Sequence, residues 1–236
     1  MTAGPKKMRG RVFILLIWSG VWLVSVFWGL TPASAQESPA KEEPQKSEAR
    51  VHLTAAEELY SNGQVDKAID QWREALRLDP NLTKAHHGLG LALRNKGRLA
   101  EAVVELREAV RLDPNNPSAQ ADLGNALHEQ GDFDSALVAY RTAVALVPTS
   151  ALLHNNLGYL LVQKGDLDGA INEWREAARL DPKYPSPRAN LGEALESKGD
   201  VQGAIAAYEQ FLDLAPSAPN AAEVRERLDA LKSAHK

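Results

Sequence analysis

A periodicity of 34 residues is the feature of this chain that most restricts how it can fold. Five glycines and five prolines recur at this spacing: Gly63, Gly97, Gly131, Gly165, Gly199, Pro80, Pro114, Pro148, Pro182 and Pro216. A small residue and a large residue recur with them: Ala68, Ala102, Ala136, Ala170, Ala204, Trp72, Leu106, Tyr140, Trp174 and Tyr208. A repeat of this length, broken between two apolar-periodic halves, predicts stacked helical hairpins that bury their apolar faces against their neighbours.

Further positions of the repeat are almost invariant within the chain. If each proline is position 32, the units span residues 49–82, 83–116, 117–150, 151–184 and 185–218. Position 8 is glycine except for Ala56, position 11 is always leucine, and position 27 is alanine except for Phe211. This pattern resembles the tetratricopeptide repeat family over 170 of the 236 residues. The resemblance implies an all-α fold, a right-handed superhelical solenoid of five helical hairpins.

Simple stereochemistry explains the conserved columns of the repeat. Small residues at positions 8 and 20 let the two helices of a hairpin approach closely. Glycine at position 15 suits a left-handed helix end, and Asp132, Asp166 and Asp200 follow it where they can cap the next helix. The proline at position 32 ends the second helix.

A last amphipathic helix is predicted within residues 219–236. Its apolar residues fall at helical spacing between charged ones: Ala221, Val224, Leu228 and Leu231. Because the last hairpin of a stack exposes its apolar face, we interpret this helix as a cap. Phe211 predicts altered packing at the same end of the stack.

The N-terminus has the pattern of an export signal. Four basic residues, an uncharged run over 12–30 and the triplet Ala33-Ser34-Ala35 predict a signal peptide over 1–35 that is cleaved after Ala35. The uncharged run exceeds the usual ~7 to 15 residues of a signal core, so an uncleaved membrane anchor is the alternative. Either reading places the repeats outside the cytoplasm, periplasmic or secreted if cleaved and anchored through 12–30 if not.

The segment 36–48 is rich in Glu, Lys, Pro and Ser and shows no apolar periodicity. This composition predicts a flexible linker between the leader and the repeats.

Composition excludes several classes of partner and chemistry. The chain has 27 Lys and Arg against 31 Asp and Glu. Four of those bases and no acid lie in 1–35, which leaves a net charge of about −8 in the remainder. An acidic protein has no general attraction to nucleic acid or anionic lipid. The absence of cysteine excludes disulfides and thiolate chemistry.

The histidines do not predict catalysis or a metal site. His52, His86 and His154 all occupy position 4, so they follow the repeat register and are interpreted as helix surface or packing. No carboxylate or third histidine stands at metal-ligand spacing, and no phosphate loop or nucleophile motif is present. We therefore predict a protein that is not an enzyme and that uses no cofactor.

The resemblance to the family implies that a protein or peptide binds the concave wall formed by the first helices. The predicted groove residues lie on that wall: Asn125, Asn155, Asn156, Tyr159, Asn190, His87, Arg94 and His128. Asparagine amides can pair with both the donor and the acceptor of a peptide unit. The alternative explanation is that asparagine is a soluble residue that is tolerated on any exposed helix face. The lysine clamp of chaperone-binding members is not reproduced, because position 5 has no lysine.

These observations lead to a hypothesis and two alternatives. The hypothesis is an interaction scaffold, or adaptor, of the bacterial cell envelope that binds its partner in the groove. The alternatives are a self-assembling structural protein, and hence a homo-oligomer, and an accessory subunit of an envelope secretion or cell-wall complex. The sequence does not identify the partner.

Overall fold

The computed structural model describes the backbone of residues 39–234 and the side chains of 43–234. The predicted leader, its cleavage after Ala35 and its alternative role as an anchor lie outside the described residues. In the described part the elements are all helices: α1 (Pro39–Ser61), α2 (Val65–Leu78), α3 (Thr83–Asn95), α4 (Leu99–Leu112), α5 (Pro117–Gln130), α6 (Phe133–Leu146), α7 (Ala151–Gln163), α8 (Leu167–Leu180), α9 (Ser186–Ser197), α10 (Val201–Leu214) and α11 (Ala221–Ala234).

The helices pack as five antiparallel hairpins in tandem. Each odd-numbered helix from α1 to α9 packs most extensively against the even-numbered helix that follows it, and each even-numbered helix packs against the next hairpin. First helices also contact each other, α1 with α3, α3 with α5 and α7 with α9. The predicted all-α solenoid is therefore confirmed, with the first helices along one wall.

The turn inside each hairpin follows the predicted chemistry. All five position-15 glycines have positive φ, between 73° and 88°, a region that glycine enters without a steric cost. Asp132, Asp166 and Asp200 each accept a hydrogen bond from the backbone N–H three residues later, for example 3.1 Å from Ser135 N to Asp132 Oδ1. The predicted N-terminal caps are present.

The position-8 glycines make room for a side chain. A Cβ added to Gly158 would lie 2.7 Å from Trp174 Nε1, and one added to Gly124 would lie 2.9 Å from Tyr140 Cδ2. The sequence predicts a close approach of the two helices at these positions. In the structure it is mainly the large position-24 residue of the second helix that occupies the space over the glycine.

The two tryptophans at position 24 differ in one hydrogen bond. Trp174 Nε1 donates to the backbone oxygen of Asn155 at 3.1 Å. Trp72 Nε1 is buried and has no acceptor among the described residues. The two rings share their position in the repeat, although Trp72 packs over Gly88 and Trp174 over Gly158.

We expect Trp174→Phe to lower the free energy of unfolding more than Trp72→Phe, by about 1–2 kcal/mol. The first change removes a buried hydrogen bond, whereas the second removes a donor that has no partner. Urea denaturation of both variants measures the difference. Equal losses would show that the bond to Asn155 contributes nothing.

In the second, third and fourth units, the residue at position 4 contacts the loop that precedes the unit. His86 Nε2 lies 3.0 Å from the carbonyl oxygen of Pro80, and its Nδ1 lies 2.7 Å from Glu105 Oε2. His154 repeats this arrangement with Pro148 and Glu173, and Gln120 donates to the carbonyl of Pro114. These contacts agree with a packing role for position 4.

Protonation of His86 satisfies both of its neighbours. A carbonyl and a carboxylate both accept, so only the imidazolium donates to the two of them. Burial opposes the charged form, but the hydrogen bonds to Glu105 and Pro80 and the nearby charges of Glu105 and Glu108 outweigh it, so the pKa of His86 is raised.

We expect this histidine to contribute to a pH dependence of stability. A raised folded-state pKa gives a contribution that is complete below the unfolded value of about 6.5. It is lost as the pH rises through the folded-state pKa. Urea midpoints measured from pH 5 to pH 9 should therefore fall less steeply with pH in His86→Gln than in the parent chain. Glutamine is the natural residue at this position in the third unit, as Gln120. Identical pH profiles would contradict the assignment.

The structure corrects the predicted linker. Helix α1 begins at Pro39, so the segment 36–48 is helical from that residue onward. Residues 43–48 are exposed, and burial begins at Ala49. An exposed helix needs no apolar periodicity, and Ala, Glu, Lys and Gln are good helix formers. The packed part of α1 supplies the nucleus from which such a segment extends.

The C-terminal helix α11 lies in the segment predicted as a cap. Ala221, Val224 and Leu228 are buried in one cluster with Phe211, while the remaining α11 residues are exposed or half-buried. Phe211 is large because α11, and not another repeat, packs beside it.

No helix in residues 39–234 has both the length and the hydrophobicity to cross a bilayer.

Candidate binding groove

The first helices are joined along the inner wall by contacts between residues 35 apart, which is one repeat plus one residue. His87 Nε2 lies 2.7 Å from Asp122 Oδ2, and Arg94 Nε donates to Glu129 Oε1 at 2.9 Å. Two more pairs follow the same rule and link Tyr60 with Asn95 and Asn155 with Asn190. Positions 5 and 12 of one unit therefore bond positions 6 and 13 of the next.

A cleft of about 310 Å³ lies between α5 and α7. It is lined by Asn125, His128, Tyr140, Asn155, Asn156, Tyr159 and Leu160. A neighbouring cleft of about 370 Å³ between the same helices shares Asn125 and Asn156. Five of the eight predicted groove residues thus line one cleft, and a sixth, Asn190, lines the pocket on the other side of Tyr159.

Asn155 positions its neighbours. Only 9% of this residue is exposed. Its Oδ1 accepts from Asn190 Nδ2 at 3.1 Å, and its Nδ2 donates to Asn156 Oδ1 at 3.3 Å. Buried amides that are already paired give little to a ligand, so Asn155 fixes the side chains around it.

Asn125 is held from beneath by the hydroxyl of Tyr140, which donates to Asn125 Oδ1. Burial, with smaller contributions from the charges of Asp122 and Glu129, raises the pKa of Tyr140 to about 12, although Arg94 acts in the opposite direction. The hydroxyl therefore stays protonated at neutral pH and remains a donor.

Tyr159 offers the aromatic surface that the sequence predicts. Half of the residue is exposed, and its ring packs edge-on against His128 with centroids 5.6 Å apart. His128 also contacts Phe133. Contact with His128 orients the Tyr159 ring before any partner binds, which suits a recognition residue.

His87 and Arg94 lie on α3, outside both clefts. Each is engaged by an acidic residue of α5, His87 by Asp122 and Arg94 by Glu129. Sequence reasoning did not include these two acidic residues. The register rule of 35 residues identifies both, because each stands one position later in the next unit.

Two apolar residues were also missing from the prediction. Leu152 is 57% exposed and Val162 is 38% exposed, and both share the inner face of α7 with Tyr159. They occupy positions 2 and 12, and unit four is the one in which positions 2, 9 and 12 are all apolar. A comparison of these three positions between units would have identified Leu152 and Val162 from the sequence.

Residues 39–234 contain no group of three or more His, Asp or Glu side chains arranged to hold a metal ion.

Comparison with known families agrees with this architecture. A family described as "TPR repeat" matches residues 56–97, 90–131, 124–165 and 158–199, and one described as "Tetratricopeptide repeat" matches 188–222. The chain belongs to the tetratricopeptide repeat family. The matches run through the helix pairs and the glycine and proline columns on which the sequence resemblance depends. No curated protein matches the chain.

Solved tetratricopeptide structures share the fold. A crystal structure of MamA is 25% identical with a TM-score of 0.66, covering 68% of this chain and 94% of that one. YrrB, described as a TPR protein with an unusual peptide-binding site, is 23% identical with a TM-score of 0.69, covering 79% and 96%. PilF from Pseudomonas aeruginosa is 20% identical with a TM-score of 0.69, covering 80% and 86%.

Proposed function

We propose that this protein is a non-enzymatic adaptor of the bacterial cell envelope that holds a protein or peptide partner in its concave groove. The observation that carries the proposal is the row of clefts along α5, α7 and α9, with Tyr159 exposed between two of them. Concave, partly apolar sites with a few placed polar groups are where ligands bind most often.

The family supports an interaction role. Tetratricopeptide proteins are typically scaffolds without catalytic activity, and one structural relative is described as peptide-binding. Because a fold is reused for many purposes, the groove residues carry more weight here than the fold does.

The envelope location rests on the N-terminal sequence. Fractionation of the native cell, followed by mass determination of the intact protein, tests it. A mature chain that begins at Gln36 supports export with cleavage, and a full-length chain in the membrane fraction supports the anchor. Recovery of a full-length chain from the cytoplasm would contradict both.

One end of the described stack favours an adaptor over end-to-end assembly. The open face of α1 is mixed, because it exposes Val51 as well as Glu58. At the other end, α11 exposes charged residues, among them Glu226 and Asp229. Polar outer faces are how repeat arrays avoid stacking on further copies.

Photo-crosslinking in the native cell tests the groove. A photoreactive residue replaces Tyr159, and a control replaces Val138, which is exposed on α6. Capture of a discrete foreign protein from position 159 and not from 138 supports the proposal. Capture of the protein itself would favour self-assembly, and capture of nothing from either position would overturn the groove assignment.

We expect the double replacement Asn156→Ala and Tyr159→Ala to weaken binding of the captured partner by at least tenfold. Stability should fall by only about 1–2 kcal/mol, because half of Tyr159 is exposed and the main loss is the acceptor for Asn155 Nδ2. Affinity by calorimetry and the urea midpoint separate the two effects. An unchanged affinity in a stably folded variant would contradict the assignment of the binding surface to this groove.

A further inference from the structure

The inner face of α7 differs from the other first helices in its lack of charge. Leu152, Tyr159 and Val162, which we name the α7 stripe, are exposed on that face. Helix α7 contains no Asp, Glu, Lys or Arg. The equivalent positions elsewhere include Lys84, Arg94, Glu57, Glu193 and Glu196.

The charged groups nearest the α7 stripe are already paired within the protein. Asp122 and Glu129, on the α5 side, are engaged by His87 and Arg94. On the α9 side, Arg227 Nη1 lies 3.2 Å from Glu193 Oε1, and its Nη2 lies 3.0 Å from Glu196 Oε2. Among the described residues, a charged ligand group beside the stripe would therefore have to compete with these internal contacts.

A small pocket opens beside the stripe, between α7 and α9. We name it the anchor pocket, with a volume of about 170 Å³ and a lining of Tyr159, Val162, Leu167, Trp174, Asn190, Glu193, Ala194 and Ser197. Sites for whole small molecules usually occupy ~300–1,000 Å³. The size of the anchor pocket therefore suits a single side chain.

The chemistry of the anchor pocket selects an apolar side chain. Trp174, Leu167, Val162 and Ala194 supply apolar surface, and the polar groups come from Asn190, Glu193 and Ser197. A charged side chain here would lose water, and the one charged group of the lining, Glu193, is already bound to Arg227. Apolar anchors in such pockets supply most of the binding energy at protein interfaces.

We propose that the segment bound in the groove is uncharged and places one large apolar side chain, Leu, Ile, Met or Phe, in the anchor pocket, with its flanking residues on the α7 stripe. This inference rests on the proposed groove function and specifies the chemistry of its occupant. It excludes recognition of a free C-terminal carboxylate at this part of the groove.

Selection from a library of random peptides tests the inference on the purified full-length chain. The selected peptides should share one Leu, Ile, Met or Phe flanked by uncharged residues. Replacing that residue by alanine should weaken binding by about tenfold or more. The affinity should change little between low and high salt, because no ion pair forms.

Two valine variants locate the binding. Val162→Lys should weaken the selected peptides by about tenfold or more, since it places a charge at the edge of the anchor pocket. Val138→Lys, on the exposed face of α6, should leave affinity unchanged. Equal urea midpoints for the two variants exclude a folding artefact.

The outcomes separate this inference from the groove function itself. Peptides with a charged consensus, a required terminal carboxylate or a steep loss of affinity with salt would overturn the inference. So would an equal effect of the two valine variants. If position 159 still captures a partner in the cell, the groove function stands without it. If neither captured partner nor groove-dependent peptide is found, both fail.

Discussion

Replacement of Tyr208 by alanine is expected to lower the free energy of unfolding by about 3–5 kcal/mol, the range for removing a buried aromatic side chain. Tyr208 is fully buried. It packs over Gly192, where an added Cβ would lie only 2.4 Å from its ring. The loss therefore combines transferred apolar surface with a cavity that the glycine backbone cannot refill.

The hydroxyl of Tyr208 makes a separate contribution. It donates to Glu196 Oε2 at 2.7 Å, and the guanidinium of Arg227 lies 5.8 Å from the ring centroid. Burial, the hydrogen bond to Glu196 and the nearby charges of Glu196 and Glu193 raise the pKa of Tyr208, although the charge of Arg227 acts in the opposite direction. The group therefore remains a neutral donor at neutral pH.

Tyr208→Phe is the matched control. It keeps the ring and removes the hydrogen bond to the carboxylate, so we expect a smaller loss of about 1.5–3 kcal/mol. Urea denaturation of the full-length chain measures both variants. A loss below about 1 kcal/mol for the alanine variant would mean that the last hairpin and α11 are not held together through this residue.

Replacement of Gly124 by valine is expected to lower the free energy of unfolding by about 3 kcal/mol, at the upper end of the usual cost of overpacking. The ring of Tyr140 covers Gly124, with Cδ2 and Cε2 each 2.9 Å from the position of an added Cβ. Tyr140 is itself buried and holds Asn125, so it has little room to withdraw.

Ala206→Val serves as the control for this substitution. Ala206 is exposed on α10, at the repeat position that Val104 and Val138 occupy in other units. Valine in place of alanine at this exposed site alters mainly helix propensity and should cost well under 1 kcal/mol. Equal losses for the two variants would show that contact with Tyr140 contributes nothing at Gly124, since glycine is itself a poorer helix former than valine.

If both predictions hold, the groove variants can be interpreted as binding effects. The stability of the stack comes from the position-8 and position-24 contacts between helices. Tyr159 and Val162 are exposed, and neither is a position-8 or position-24 residue. Loss of binding by variants of Tyr159 or Val162, with unchanged urea midpoints, then reports on recognition alone.

The sequence determined the architecture because the repeat states the same packing requirement five times. Glycine at position 15 must supply a positive φ, and position 8 must stay small under a large position-24 residue. The repeat register that places Gly158 at position 8 also places Trp174 at position 24. Local rules of this kind need no knowledge of distant contacts. The segment before Ala49 is not part of a repeat, so its structure could not be read from the repeat pattern. A flexible linker was predicted there, and the structure shows a helix from Pro39 onward.

The tertiary structure decided which groove side chains are available. In the sequence, Asn155 and Asn156 are adjacent and chemically identical. In the structure, Asn155 is buried and hydrogen-bonded to Asn190 and Asn156. The sequence predicts Arg94 as a contact residue, but in the structure Arg94 forms an ion pair with Glu129 of α5. Recognition depends on what remains unpaired after packing, and pairing across neighbouring units is a property of three-dimensional distance. The sequence by itself therefore determined the stack and its inner wall, whereas only the folded arrangement showed which side chains of that wall stay exposed beside the clefts.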